Sequence, residues 1–437
     1  MPNFYITTLG CKVNQSETET IARRLEEAGW TFSQNGLPAD LCIINTCTVT
    51  QKASMQSRQA IRQIVRKNPG AWVIVTGCYA STEPDAIKTI EGVHQVIGHS
   101  DKDKIPEMIL AAVRRWPGDK KPASCETDGT ISHECKKEGG RKIRTRPFLK
   151  IQDGCNAFCT YCIVPYARGR SKSLPPDEVI RRLEGLNRNG YREVVLTGIH
   201  IGCYGLDLTP ATRLSDLLVK IRDEAPVRRI RISSIEPREL TDDIIRLVGS
   251  SDIFCNHFHI PLQSGDDQIL KRMHRPYDQN FFRQLVLKLN KTIPGIAIGV
   301  DVLVGFPGET EAAFDNTYAL IKELPVTYLH VFPYSPRQGT PASGYPDQVP
   351  APVVKKRCQR LRALGNIKRA NFYMDHIGKC MEVLVEGKRD PSTGWLKGIT
   401  DNYIPLIFEG DDCLKEQFFR VRYDQVLPDR PIRAIPC

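Results

Sequence analysis

The chain has 437 residues, of which 41% are apolar and 25% charged, and its net charge is +11. This composition excludes a largely disordered protein, and the length predicts two or three domains of ~150 residues each. The first residues lack the basic segment and apolar run of a signal peptide, and no stretch reaches the ~20 apolar residues of a membrane span. We therefore expect a soluble, cytoplasmic protein, whose positive charge is compatible with a polyanionic partner.

Residues 1–120 alternate short apolar runs with helical segments, which predicts an N-terminal α/β domain built on a parallel sheet. The expected strands are Phe4–Leu9, Leu41–Asn45 and Trp72–Thr76, and the expected helices are Ser16–Gly29 and Ala53–Lys67. The polar, lysine-rich residues that follow, 121–145, are predicted to form a basic linker.

Residues 146–373 continue the alternation and predict a partial (β/α)6 barrel, whose chemistry belongs at the carboxyl ends of the strands. The expected strands are Phe148–Gln152, Glu193–Leu196, Arg229–Ser233, Phe258–Ile260, Ile298–Val304 and Tyr328–Phe332, and a long basic helix, Pro352–Tyr373, closes this part. The last segment, 374–437, has four short runs separated by Gly, Asp and Pro, which predicts a small antiparallel β-barrel.

Fifteen cysteines are present, and in a reducing cytosol a subset is better explained by metal binding than by disulfides. Cys155, Cys159 and Cys162 form a CxxxCxxC loop directly after the first barrel strand. Three thiolates at this spacing hold three irons of a [4Fe–4S] cluster and leave the fourth iron open for a cofactor. The alternatives are a zinc site that lacks one ligand and coincidental cysteines.

A second set of cysteines is spread over the N-terminal domain. Cys11, Cys47 and Cys78 each follow a predicted parallel strand, and the loops after such strands gather at one edge of the sheet. Gly10 and Gly77 would let the backbone turn close to a second cluster there. Buried packing thiols are the alternative, and Cys42, inside a strand, is better explained as part of the core.

Eight motifs along the chain resemble those of the methylthiotransferases, a branch of the radical S-adenosylmethionine (SAM) superfamily. They are TLGCKVNQSETE (8–19), NTCTVT (45–50), TGCYA (76–80), GCNAFCTYCIVPYARGRSKS (154–173), SSIEP (233–237), HIPLQSG (259–265), DVLVGFPGET (301–310) and HVFPYSPRQGT (330–340). The C-terminal segment resembles the family's TRAM module, an RNA-binding barrel. Around Cys11 and Cys47 the chain resembles the branch that acts on N6-threonylcarbamoyladenosine (t6A) at position 37 of tRNA.

The resemblance implies two [4Fe–4S] clusters, on Cys11, Cys47 and Cys78 and on Cys155, Cys159 and Cys162, and two uses of SAM. One SAM methylates a sulfur at the N-terminal cluster, and another is cleaved at the second cluster to a radical that activates C2 of the adenine. The implied partners are the anticodon stem-loop of tRNA, an electron donor such as flavodoxin or ferredoxin, and a sulfur donor, with no membrane.

The resemblance also leaves alternatives open. The isopentenyladenosine branch tends to read GCQMN and NTCSIR, and the branch that modifies a ribosomal protein side chain tends to read GCPKN. The alternative that is not an enzyme is an RNA-binding iron–sulfur protein, in which the clusters only stabilise the structure.

Further site residues are expected on the strand-end loops. Tyr161 is expected to lie against SAM, with a packing aromatic as the alternative. Other candidates for SAM contacts, which as bare residues would more often be turn or capping groups, are Thr197, Gly198, Ser234, Glu236 and Gln263. Arg337 is a candidate for the substrate carboxylate because its planar fork suits an anion. Phosphate contacts are expected from Lys355, Lys356 and Arg357 on the long basic helix.

Overall fold

The computed structural model describes residues 2–33, 38–114, 144–425 and 432–437. Contacts group the chain into two compact units. The first unit contains the described residues of 1–137 together with 153–170 and 335–343, and the second contains the described residues of 138–152, 171–334 and 344–437. The loop of Cys155, Cys159 and Cys162 therefore groups with the N-terminal sheet. Most of the predicted linker lies outside the described residues, and the predicted domain boundaries stay a prediction.

A five-stranded parallel sheet forms the centre of the first unit, in the order β2-β1-β3-β4-β5. Its strands are β1 Asn3–Thr8, β2 Thr31–Phe32, β3 Leu41–Thr46, β4 Trp72–Gly77 and β5 Gln95–Ile97. The helices of this unit are α1 Lys12–Glu27, α2 Gln51–Lys67, α3 Cys78–Thr82, α4 Pro84–Lys88, α5 Ile105–Arg114 and α6 Val164–Arg168. The predicted strands and helices of the sheet domain are confirmed, with α1 beginning four residues early, directly after Cys11.

Alternate residues of the central strands pack on opposite faces of this sheet, as the two-residue strand period requires. Ile43 and Ile74 belong to a core with Phe4 and Leu25, whereas Cys42 and Val73 belong to the core on the other face. Cys42 is completely buried, which confirms that it is a packing residue.

Six parallel strands form the barrel of the second unit, arranged as two three-stranded sheets. Isolated bridges at Ile230–Phe254 and Ser234–His259 connect the two sheets. The strands are β6 Phe148–Lys150, β9 Glu193–Thr197, β10 Arg229–Ile232, β11 His257–Gln263, β12 Ala297–Val304 and β13 Tyr328–Pro333. The two-residue strands β7 Gln152–Asp153 and β8 Lys172–Ser173 flank the cysteine loop. The predicted partial (β/α)6 barrel is thereby confirmed.

Helices connect and cover the barrel strands, and a single large apolar core lies between the two layers. They are α7 Pro176–Arg188, α8 Leu214–Glu224, α9 Asp242–Gly249, α10 Asp267–Arg272, α11 Gln279–Thr292, α12 Glu311–Glu323 and α13 Ala351–Met374. Side chains of the preceding residue cap several of them: Thr241 accepts from the Ile244 N–H and Thr310 from the Ala313 N–H.

A small closed barrel ends the chain, in the order β14-β15-β16-β18-β17. Its strands are β14 Cys380–Val385, β15 Leu396–Thr400, β16 Pro405–Phe408, β17 Phe418–Gln425 and β18 Ile432–Pro436. The predicted barrel is confirmed, but one pair, β16 with β18, is parallel rather than antiparallel. Cys380 and Cys437 form a disulfide, a pairing that was not predicted from the sequence.

A buried ion-pair network joins the two barrels of the second unit. Glu193 on β9 accepts hydrogen bonds from Arg229 and Arg231 on β10, and Arg231 also donates to the carbonyl oxygens of Thr400 and Asp401. Burial alone would raise the pKa of Glu193, yet Arg231 and Arg229 lower it to about 2. The carboxylate therefore stays charged and ties the terminal barrel to the strands.

Among the helices of the described residues, no segment has the length and apolar character that crossing a membrane requires.

Candidate functional site

Three neighbouring parallel strands bring Cys11, Cys47 and Cys78 to one edge of the N-terminal sheet. Cys47 follows β3 directly, Cys78 follows β4 directly, and Cys11 comes three residues after β1. The strands β1, β3 and β4 lie side by side in register, so their carboxyl ends coincide. Cys47 and Cys78 are buried and Cys11 is exposed.

Two glycines at this edge have backbone conformations that favour glycine. Gly10 has φ +102° and Gly77 has φ +100°. A Cβ at Gly10 would lie 2.8 Å from the Cys47 sulfur, and one at Gly77 would lie 2.3 Å from the Thr46 carbonyl oxygen. The backbone at Gly10 thus lies too close to the Cys47 sulfur, and the backbone at Gly77 too close to the Thr46 carbonyl, for a residue with a side chain.

The environment of Cys47 suits a thiolate only when a cation is bound. Burial, with smaller contributions from Cys78 and Cys11, raises the pKa of the Cys47 thiol to about 11. A coordinating metal deprotonates such a thiol, so Cys47, at the same sheet edge as Cys11 and Cys78, fits a ligand of an iron–sulfur cluster.

The second cysteine set lies on the loop between β7 and α6. The Cys155 N–H donates to the Gly169 carbonyl at 3.1 Å, and the Cys162 N–H donates to the Cys159 carbonyl at 2.9 Å. Cys159 is 9% exposed, and Cys155, Cys162 and Tyr161 are half-buried. A short loop with three cysteines, one buried and two half-buried, fits a cluster that leaves one iron open.

Arg168, the last residue of α6, lies between the two cysteine sets of the first unit, and its side chain is fully buried. Its Nε donates to the Cys78 sulfur at 3.2 Å, and its Nη1 donates to Glu17 at 3.0 Å and to Asp153 at 2.8 Å. Its Nη2 bonds the Asn14 side-chain oxygen. One guanidinium therefore contacts both Cys78 of the N-terminal set and Asp153, which lies two residues before Cys155.

Further charged groups complete this network. Lys102 donates to Glu17 at 2.5 Å, and His99 lies 3.2 Å from Asp153. Burial would lower the pKa of Arg168, but Cys78, Glu17 and Asp153 hold it well above its usual value. The guanidinium is therefore charged at every physiological pH.

The residues predicted to contact SAM lie at strand ends of the second unit, except Tyr161 in the cysteine loop. Thr197 ends β9 and is buried, Gly198 follows it, Ser234 is exposed after β10, and Gln263 ends β11 with φ +64°. Glu236 pairs with Arg275. The structure places them where barrel chemistry occurs, and their contact with SAM stays a prediction.

Arg337 lies in the first unit and contacts the residue that follows Cys47. Its Nη2 bonds the hydroxyl of Thr48, the residue after Cys47, and Glu83 at 3.1 Å. The residue is 7% exposed, and its Nε has no hydrogen-bond partner within the described part of the chain. Thr48 and Glu83 thus hold the Arg337 side chain in place, and its contact with the substrate carboxylate stays a prediction.

The basic helix α13 is used differently from what its sequence predicts. Arg357 is buried and pairs with Glu309 at 2.7 Å and with Glu311 at 2.9 Å. These glutamates satisfy its guanidinium inside the fold, so the expected phosphate contact by Arg357 is wrong for this structure. Lys355 and Lys356 are exposed.

Sequence reasoning missed the residues of the Arg168 network. Asn14 and Glu17 lie within the TLGCKVNQSETE motif and Arg168 within the cysteine-loop motif, but only their burial identifies them. The available signal was the position of Asn14 and Glu17 on the face of α1 that continues with Ile21 and Leu25, because buried charges require partners.

Two family models match the chain: the Uncharacterized protein family UPF0004 over residues 3–98, and the Radical SAM superfamily over residues 149–321. Among solved structures, the radical S-adenosylmethionine methyltransferase TsrM from Kitasatospora setae has a TM-score of 0.56 at 17% identity. The alignment covers 78% of this chain and 77% of that one, and the likeness concerns the fold.

Curated relatives match over nearly the whole length. The "Threonylcarbamoyladenosine tRNA methylthiotransferase MtaB" of Bacillus subtilis (strain 168) is 42% identical over 95% of this chain and 92% of its own. The protein of the same name from Aquifex aeolicus (strain VF5) is 35% identical, over 92% and 96%. A "tRNA-2-methylthio-N(6)-dimethylallyladenosine synthase" of Clostridium botulinum (strain Langeland / NCTC 10281 / Type F) is 34% identical, over 96% and 94%.

With identities above 30% across nine-tenths of both sequences, and with the Radical SAM superfamily model matched over residues 149–321, the chain belongs to the radical SAM methylthiotransferases, a family of enzymes.

Proposed function

We propose that this enzyme methylthiolates C2 of t6A at position 37 of tRNA, using SAM and two [4Fe–4S] clusters. The observation that carries the proposal is the occurrence of both cysteine sets in one compact unit. If the clusters only stabilised the fold, the two cysteine sets would not need to be joined through the buried Arg168, which contacts Cys78 and Asp153.

The choice of t6A rests on two lines of support. The residues around Cys11 and Cys47, Gly-Cys-Lys-Val-Asn-Gln and Asn-Thr-Cys-Thr-Val-Thr, resemble the t6A branch. The relatives named for threonylcarbamoyladenosine reach 42% identity, whereas those named for dimethylallyladenosine reach 34–35%.

Each cysteine set would hold its own cluster: Cys11, Cys47 and Cys78 one, Cys155, Cys159 and Cys162 the other. When bound, the clusters and SAM supply the reducing electron, the radical chemistry and the methylated sulfur that an unactivated aromatic C–H requires. The chain itself contributes three thiolates to each cluster, and the burial of Cys47 and Cys78 shields two of the three N-terminal sulfurs from water.

The remaining roles belong to strand-end residues. SAM contacts are assigned to Tyr161, Thr197, Gly198, Ser234, Glu236 and Gln263. Arg337 is assigned to the substrate carboxylate: Thr48 and Glu83 fix its Nη2, while the Nε–H has no partner in the described residues. A guanidinium held in this way suits a planar anion.

Phosphate contacts are assigned to the exposed Lys355 and Lys356, without Arg357. A tRNA substrate also implies a cytoplasmic reaction, an electron donor such as flavodoxin or ferredoxin, and a source of sulfur.

Mass spectrometry of tRNA nucleosides from a strain that lacks the gene tests the proposal. Methylthiolated t6A disappears and unmodified t6A accumulates, and the intact gene restores the product, whereas a copy with Cys155→Ala does not. Loss of the methylthiolated dimethylallyladenosine instead, or of a mass increment on a ribosomal protein, contradicts the assigned substrate.

A further inference from the structure

We propose that Arg168 is a positioning residue that couples the two cysteine sets and raises the reduction potential of the cluster on Cys11, Cys47 and Cys78. This inference rests on the two-cluster arrangement of the proposed function and adds a role for a residue that ligates neither cluster.

The hydrogen bond to Cys78 is the first step of the argument. The Nε–H of Arg168 points its proton at a ligand sulfur 3.2 Å away. N–H donors to cluster sulfurs stabilise the reduced, more negative state and so raise the reduction potential. The guanidinium charge acts in the same direction, and burial strengthens it because water does not screen it.

The orientation of the guanidinium is fixed by its other donors. Arginine has five N–H donors in a planar fork. Beyond Nε, the Nη1 group bonds Glu17 and Asp153, and the Nη2 group bonds Asn14, with a second Glu17 oxygen at 3.5 Å. Five acceptors therefore match five donors, and the Nε–H can be aimed only at Cys78.

Asn14 extends this control to the other two cysteines of the set. Its side-chain nitrogen donates to the carbonyl oxygens of Leu9 at 2.8 Å and of Thr46 at 3.0 Å. Thr46 immediately precedes Cys47, and Leu9 lies two residues before Cys11. Arg168 thus reaches the backbone beside two of the cysteines and the sulfur of the third.

On its other side, Arg168 fixes the start of the CxxxCxxC loop. Asp153, which its Nη1 bonds at 2.8 Å, precedes Cys155 by two residues. The two carboxylates offset the buried positive charge, since an unpaired buried arginine would be strongly destabilising. The same side chain therefore holds both sets in one geometry.

The test is a potentiometric titration, followed by electron paramagnetic resonance, of anaerobically reconstituted full-length protein. The N-terminal cluster is assigned in a background with Cys155, Cys159 and Cys162 changed to alanine. Arg168→Lys keeps the charge but lacks the Nε–H to sulfur; we expect the reduction equilibrium to fall about tenfold, or about 59 mV for one electron. Arg168→Gln, which also removes the charge, shifts further in the same direction.

Arg231→Lys is the matched control, because Arg231 is equally buried and paired with Glu193 but lies in the other unit. The reduction potential of the N-terminal cluster in Arg231→Lys is expected to match that of the wild type. If Arg168→Gln loses N-terminal iron and keeps the loop cluster, the positioning role is supported. An Arg168→Lys protein with both clusters and an unchanged potential overturns the inference. A wild-type protein that binds one cluster overturns the proposed function itself.

Discussion

At the carboxyl edge of the N-terminal sheet, Gly77 ends β4 with φ +100° and Cys78 begins α3 one residue later. A Cβ at residue 77 would lie only 2.3 Å from the Thr46 carbonyl oxygen, so strand β3 and the Cys78 turn approach each other closely. At Gly10, likewise, an added Cβ would lie 2.8 Å from the Cys47 sulfur. The N-terminal cysteine site therefore depends on residues that carry no functional group.

Replacing Gly77 with alanine tests this dependence. The added methyl meets the Thr46 carbonyl in a backbone conformation that alanine disfavours, so we expect a loss of about 1–3 kcal/mol from overpacking, with backbone strain in addition. Denaturant unfolding measures the loss, and iron analysis is expected to show that the N-terminal cluster is depleted.

Gly29→Ala is the control for Gly77→Ala, because Gly29 also has a positive φ but nothing lies within 4 Å of its Cβ position. It carries the strain without the clash, so the cluster content stays at the wild-type level. Equal cluster loss in both variants would mean that backbone strain, not close approach, governs the site.

At the scale of elements, the hydrophobic periodicity of the sequence predicts the long strands and helices correctly, including β3, β4 and the strands of the (β/α)6 barrel. The two- and three-residue strands β2 and β5 are missed because they are too short to show a period. The N-terminal cysteines are brought together as the rule for parallel strands predicts.

Charge pairing between elements is what the sequence does not reveal. The basic run of α13 has no acidic neighbours along the chain, yet Glu309 and Glu311 pair with Arg357. Likewise Glu17 on α1 and Arg168 on α6 are separated by 151 positions and meet only in the folded unit. One-dimensional patterns therefore predict which residues are charged but not which charges are satisfied.

The Glu193 network gives a stability prediction at this scale. Glu193→Gln leaves Arg229 and Arg231 buried without their counter-ion, and breaking a buried pair in this way costs about 3–5 kcal/mol. We expect a correspondingly lower unfolding temperature at neutral pH. Glu323→Gln is the control, since this side chain is 53% exposed and pairs with Arg283 at the surface; it is expected to change little.

The pH dependence of the same variant has a definite sign. The folded pKa of Glu193 is about 2, below the ordinary glutamate value of about 4.3, so its stabilisation is complete above that ordinary value and is lost as the pH falls towards 2. The difference between wild type and Glu193→Gln therefore stays constant from neutral pH to about 5 and shrinks below it. A difference that grows on acidification would contradict the ion-pair account.

At the scale of the whole molecule, the net charge of +11 suits a polyanionic substrate, but few of the cations on α13 are available. Arg360 pairs with Glu311 and Asp315, Lys368 donates to the Lys322 carbonyl, and Arg362 donates to the Val331 carbonyl. Lys355 and Lys356 are exposed at the start of the helix and remain the candidates for phosphate contacts there.

Neutralising these two lysines tests the proposed tRNA contact. Lys355→Gln combined with Lys356→Gln is expected to weaken tRNA binding and to reduce the slope of log K against log salt by up to about two. Filter binding at several salt concentrations measures the slope. Lys288→Gln with Lys291→Gln, exposed on α11, is the control pair and keeps the wild-type slope; the same slope for all three proteins would exclude Lys355 and Lys356 from the contact.

The central claim, that two cysteine sets each hold a cluster, is tested most directly by the iron and sulfide content of reconstituted full-length protein. The wild type is expected to bind about eight irons, and changing either Cys11, Cys47 and Cys78 or Cys155, Cys159 and Cys162 to alanine leaves about four. Methylthiolation is absent from both variants. A wild type with about four irons, or an N-terminal triple variant that still binds about eight, would contradict the account.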